Sequence, residues 1–223
     1  MNTTARETAS TLATVADRAR YGLDAVLSTV ASALPGHRPV MSAAGADALL
    51  DAQAFLDTIP ADLRTGWKAM PRDTYLQRLD AWFDSIAPAL TQAWPRERLD
   101  SLAVDLAARY GAPVAIVRGT LATEAGWRPV GIYSSSWEAA SAANSTAFGV
   151  GQQVRGYYNP DVLGVPHPAL AHPYWGTAYM AWAWADSIKR HGGSIPAAAR
   201  EYAGSDEGAA VKLAAFRKFG LNV

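Results

Sequence analysis

Residues 113–129 read PVAIVRGTLATEAGWRP. Val114, Val117, Leu121 and Glu124 follow at steps of three, four and three, so they share one face of a helix. Pro113 suits the first turn, where its missing N–H would go unpaired anyway. Gly126 and Pro129 stop the segment just beyond the carboxylate. The pattern predicts a short apolar helix ending with Glu124 directed inward. Burial disfavours a charged carboxylate and keeps a proton available near neutrality, as a general acid requires. Spacing alone equally allows a surface or salt-bridged Glu at a frayed helix end.

The rest of the chain is also helical in pattern, and the fold class expected is all-α. A Trp/Tyr-rich helix begins near Ala171 and is closed by Gly192 and Gly193. Ser194 can cap a short helix that carries Tyr202 and ends at Gly204. Ser205 can cap the last helix, whose Asp206 and Glu207 favour its positive end and whose Arg217 and Lys218 favour the negative one. Toward the N-terminus, Leu12, Val15, Ala19, Leu23, Val26, Val30 and Leu34 recur at steps of three and four up to Pro35-Gly36. Further helical patterns run from about Gly45 to Leu56 and from about Asp73 to Ala93, punctuated by Pro60, Pro71 and Pro95. Residues 130–145, VGIYSSSWEAASAANS, are too rich in Ser, Ala and Gly to assign.

Composition narrows the function by exclusion. Lys+Arg and Asp+Glu balance at 20 each, so no bulk charge draws the chain to nucleic acid or to an anionic membrane. The absence of cysteine removes disulfides, thiolate zinc sites and a cysteine nucleophile. The longest uncharged stretch, residues 162–185, holds three prolines and two histidines and does not read as a membrane span. His167 and His172 have neither helical register nor a supporting acid cluster, so no metal site is expected. Ser134-Ser135-Ser136 lacks a nucleophile-elbow context and reads as a loop.

Three segments carry a resemblance. Glu124-Ala125-Gly126-Trp127-Arg128-Pro129 is similar to the Glu-Ser-Gly-aromatic-x-Pro segment of the soluble lytic transglycosylase and goose-type lysozyme families. Thr146–Gln152, TAFGVGQ, resembles their Gly-Ala-x-Gly-Leu-Met-Gln motif, and Glu201-Tyr202-Ala203-Gly204 loosely resembles their Ala-Tyr-Asn-x-Gly. Residues 99–113, LDSLAVDLAARYGAP, resemble the family's lead-in helix and turn. The resemblance runs from about Arg98 to Gly204. It implies a lysozyme-like domain over 96–223, preceded by a helical N-terminal region, 1–95, that packs against it or docks onto an assembly.

The family's chemistry is cleavage of the β-1,4 bond between N-acetylmuramic acid and N-acetylglucosamine in peptidoglycan. The resemblance makes Glu124 the general acid/base, with no cofactor and no metal. It makes Gln152 a cleft residue that hydrogen-bonds sugar, and Gly149 and Gly151 places where backbone approaches the glycan. It also makes Tyr202 a hydroxyl in contact with the catalytic Glu. From the residues alone, Gln152 could be a plain polar surface residue, the glycines could serve turns, and Tyr202 could be a core tyrosine. Tyr157, Tyr158, Tyr174 and Trp175 could stack on sugars or fill the core, and Trp127 is expected in the core.

Several positions depart from the family pattern. Ala125 replaces Ser, Val150-Gly151 replaces Leu-Met, and Ala203 replaces Asn. These leave the acid intact and bear on the substrate contacts. No second acid, whether Glu138, Asp161 or Glu201, falls at a motif position, which favours a lytic transglycosylase yielding 1,6-anhydro ends over a hydrolase. The start, MNTTARETASTLATVADRAR, does not read as a signal peptide. Delivery to the cell wall is therefore expected through a phage virion, lysis or secretion system, whose proteins the N-terminal helices would bind. The alternative is a structural or glycan-binding component of such an assembly that keeps the lysozyme fold with little activity.

Overall fold

Caps and prolines set the helix starts. In the computed structural model, which describes residues 42–132 and 136–223, α1 (Ala43–Phe55) opens at Ser42, whose hydroxyl accepts the Gly45 N–H at 3.1 Å. Four helices begin directly after a proline, which fixes φ and cannot extend a helix backward. They are α2 (Ala61–Gly66), α3 (Arg72–Ala93), α4 (Arg96–Tyr110) and α5 (Val114–Thr120), following Pro60, Pro71, Pro95 and Pro113. Side-chain caps from Ser136, His172, Ser194 and Ser205 start α6 (Trp137–Ala142), α7 (Pro173–Arg190), α8 (Ile195–Ala203) and α9 (Asp206–Lys218). Gly111 and Gly204, both left-handed, close α4 and α8. The pattern from Leu12 to Leu34 lies outside the described residues.

The protein is mainly α-helical. Among the described residues the sheet is one small hairpin, β1 (Ala147–Phe148) antiparallel to β2 (Gln153–Val154), with Phe148 opposite Gln153. Ile132 bridges to Phe148 on the other side. The unassigned segment 130–145 contains α6, which the Ser136 hydroxyl caps and which the Trp137 N–H ties to Asp80 of α3 at 3.1 Å. Composition hid this helix because its only strong signal is one capping serine.

The described residues belong to one compact unit, Met41–Val223. At its centre lies α7, buried from Pro173 to Ala181 and packed by α1, α4, α5 and α8. The Trp175 indole N–H donates to the Ala52 carbonyl at 3.0 Å and so joins α7 to α1. α9 covers α5 and α8, and its Phe216 meets Trp184 edge-on at 5.2 Å. Trp94, Trp184, Tyr75, Phe148 and Phe216 are fully buried, and each removes a large apolar area from water.

A second aromatic cluster fixes the hairpin. His167 is fully buried among Trp67, Tyr75, Phe148 and Tyr158. The Gln153 carbonyl can only accept, so His167 Nε2 donates to it at 2.8 Å, and Nδ1 accepts from the Tyr75 hydroxyl at 2.6 Å. Arg155 donates to the carbonyls of Trp67 and Met70 at 3.0 Å each and lies over the Tyr75 ring. The second strand is thereby held against α3 and the segment that precedes it.

Candidate functional site

The α5 helix does not end where it would in regular winding. After Thr120 it widens into a π-helical turn, Leu121–Ala125, and the N–H of left-handed Gly126 returns to the Leu121 carbonyl. Trp127 is also left-handed, at φ 60°. Such turns insert one residue into a helix and occur often at functional sites. Leu121 and Ala125 are buried, whereas the Glu124 side chain is 25% exposed. The carboxylate therefore stands at the edge of the core.

Its partner is Lys212 of α9. The Lys212 ammonium contacts Glu124 Oε1 and also donates to Thr123 Oγ1 at 2.5 Å. The Thr123 hydroxyl in turn donates to the Gly119 carbonyl at 3.0 Å. The Lys212 side chain is only 6% exposed. Burial pushes its pKa below the ordinary lysine value, and the Glu124 carboxylate works against that shift. Tyr202 lies beside the pair, with Lys212 Nζ 5.8 Å from its ring centre.

Tyr202 connects the third motif to the second. Its hydroxyl donates to the Gly151 carbonyl at 2.8 Å and accepts from Gln153 Nε2 at 2.8 Å. The ring is stacked on Trp184, centroids 4.5 Å apart and planes 12° apart. Burial, reinforced by the negative charge of Glu124, pushes the phenol well above its usual range, so it remains a neutral donor. Its hydroxyl is engaged by the hairpin turn and makes no hydrogen bond to Glu124, contrary to the contact expected from the resemblance.

Gln152 and the two glycines shape that turn. Gln152 adopts φ 46°, unusual for a side chain that is not glycine. Its Nε2 donates to the carbonyls of Gly149 at 3.0 Å and Gly131 at 3.2 Å. Gly149 is left-handed, and a Cβ there would lie 2.2 Å from the Leu170 carbonyl oxygen. A Cβ on Gly151 would meet Gln153 Nε2 at 3.0 Å and Met180 Cβ at 3.1 Å. Both glycines thus permit close packing of the turn on the chain behind it, and the Gly151 carbonyl faces Tyr202.

An open groove of about 560 Å³ runs beside this turn. Gln152, Gln153, Tyr202, Tyr157, Trp182 and Asn159 line it, while Glu124 does not. Tyr157 is 88% exposed. Tyr158, Tyr174 and Trp175 are buried core residues. Trp127 is half-buried, edge-on to Phe219 and under the Arg96 guanidinium. At the far rim Glu201 is committed to Arg190, Ser187 and His191, which hold its carboxyl down to about 2. Glu138 accepts from Ser136.

The structure therefore links Glu124 to Tyr202 through Lys212, and Tyr202 to Gly151 and Gln153, and places Gln152 in the groove wall. Sequence reasoning missed Lys212, Gln153 and Trp182; it named Tyr157 among four candidate stacking rings, of which the other three are buried. The signal for Lys212 was present: Ala209, Lys212, Ala215 and Phe216 share a helical face, and the other three are buried. Among the described residues no cluster of His, Asp and Glu could hold a metal ion, and no helix is long and apolar enough to cross a membrane. Comparison with family models, with curated proteins and with solved structures finds no match for this chain.

Proposed function

We propose that the chain is a peptidoglycan-cleaving enzyme of the lytic transglycosylase type, with Glu124 as general acid/base. One observation supports this above the others: the three segments that carry the family resemblance, far apart in sequence, meet in space. The Tyr202 hydroxyl binds the Gly151 carbonyl, and the Lys212 ammonium that holds Glu124 faces the Tyr202 ring. Cleavage requires a proton on the leaving glycosidic oxygen as positive charge develops at the sugar carbon. Glu124 gives that proton, then accepts the one released when the C6 hydroxyl of N-acetylmuramic acid closes the 1,6-anhydro ring. The N-acetyl group of the substrate stabilises the intermediate, so no second carboxylate takes part. Glu201, bound on three sides at the groove rim, is not free to activate water.

The groove suits a glycan strand. Sugars offer apolar faces that stack on aromatic rings and hydroxyls that bind amides. Tyr157 and Trp182 supply the rings, and Gln153 and Asn159 the amides. Delivery to the wall by a phage virion, lysis or secretion apparatus, and binding of its proteins by the N-terminal region, belong to the same proposal.

The Lys212 ion pair favours a second reading. A carboxylate already matched to an ammonium suits a domain that binds glycan or builds an assembly without cutting. Co-sedimentation with purified peptidoglycan, with the supernatant assayed for soluble fragments, separates the two. Binding with release of fragments supports the enzyme. Binding without release supports the second reading, and absence of both refutes the two together.

A further inference from the structure

Lys212 violates the ordinary rule for α9. Val211 beside it is 55% exposed, while Lys212 itself is buried on the face shared with Ala209, Ala215 and Phe216. A lone ammonium in such a place is strongly disfavoured unless paired with an opposite charge. The partners are Glu124 and Thr123, both from the π-helical turn. The Tyr202 ring faces the ammonium from α8.

Other charges near these elements are already matched. Arg118 of α5 makes a two-pronged pair with Asp100 at 2.7 and 2.6 Å. On α8, Glu201 is held by Arg190, and Arg200 pairs with Asp206 of α9. Glu207, Arg217 and Lys218 lie on the exposed side of α9. The ionisable groups facing Lys212 are thus Glu124 and Tyr202, and the phenol stays neutral.

We propose that Lys212 is a positioning residue for Glu124: its buried ammonium fixes the carboxylate in the site and supplies the positive charge beside which it works. This rests on the proposed acid/base role of Glu124. The two opposite charges in contact stabilise each other. Removing an adjacent positive charge lets a carboxyl keep its proton to higher pH. The Thr123 hydroxyl, anchored on Gly119, holds the ammonium in register with the carboxylate.

The test compares wild type, Lys212→Met and Lys212→Arg, each shown to be folded by circular dichroism, in the release of soluble fragments from peptidoglycan across pH. Lys212→Met is expected to move the alkaline limb of the profile up by about one pH unit, about tenfold in relative rate along that limb. Lys212→Arg, which keeps the charge, is expected to leave the limb within a few tenths of a unit of wild type. An unchanged limb in the Met variant overturns the proposal. A second arm is independent of activity: the Lys212 ammonium is titrated by NMR in wild type and Glu124→Gln. Loss of the carboxylate is expected to lower the Lys212 pKa further, and an unmoved titration overturns the proposal. If wild type releases no fragments, the enzymatic reading fails, while the NMR arm still decides whether the pair is coupled.

Discussion

The Tyr202 phenol donates a 2.8 Å hydrogen bond to the carbonyl of Gly151, across 51 positions of sequence. That bond closes the hairpin turn onto α8, and Gln153 Nε2 completes it from the other side. Tyr202→Phe removes the hydroxyl while keeping the ring on Trp184. It is expected to destabilise the fold by about 1 kcal/mol, the net worth of such a bond. Urea unfolding checks this through the midpoint, with the slope unchanged.

Gly149 is fixed by space as well as by conformation. With φ 74° and the Leu170 carbonyl 2.2 Å from any Cβ, Gly149→Ala is expected to cost about 3 kcal/mol or more. Gly204→Ala is the control, since φ is 70° but nothing lies within reach of the added methyl. It is expected to cost about 1 kcal/mol. Equal losses in denaturant unfolding would show that the Leu170 contact gives way.

Acid should weaken the core before it titrates ordinary carboxylates. Burial pushes the imidazoles of His167 and His172 down to about 4 in the folded protein, against 6.5 for a free histidine. The unfolded chain therefore binds protons that the native state refuses, and stability rises with pH between these values. It is full above about pH 6.5 and is lost as pH falls toward 4, by on the order of a few kcal/mol for the pair. Thermal unfolding at pH 7, 5.5 and 4.5 should show a falling Tm, and a flat Tm would contradict the buried neutral rings.

Tyr157 separates binding from folding. At 88% exposed it contributes little to the core, so Tyr157→Ala is expected to change stability by less than about 0.5 kcal/mol. If glycan lies in the groove, loss of the ring should weaken co-sedimentation with peptidoglycan by about 1 kcal/mol, a several-fold change in affinity. Unaltered binding would place the glycan elsewhere.

Helix boundaries were legible because caps and prolines act locally. Ser194, Ser205 and Pro71 each start a helix in the structure where the sequence placed one. The buried face of Val117 and Leu121 was also legible from their spacing, but Glu124 at its end is partly exposed and ion-paired with Lys212, the alternative that the spacing left open. The π-helical turn was not, because one extra residue in a winding leaves no mark on apolar periodicity. Lys212 was missed for a different reason: a charged residue is normally read as solvent-facing, and only its partner 88 positions away explains its burial. Gln153 escaped notice because its role depends on the register of a two-residue strand. The double duty of Gly149, as a turn residue and as room for Leu170, likewise needed the fold.

The most direct test of the central claim is mass spectrometry of the muropeptides released from purified peptidoglycan by wild type and by Glu124→Gln. Glutamine keeps the shape of the side chain but can neither give nor take the proton. The account predicts products ending in 1,6-anhydro-N-acetylmuramic acid from wild type, and none from the folded variant. Equal release by both proteins, or no release by wild type at any pH, would contradict Glu124 as the acid/base of a peptidoglycan-cleaving site.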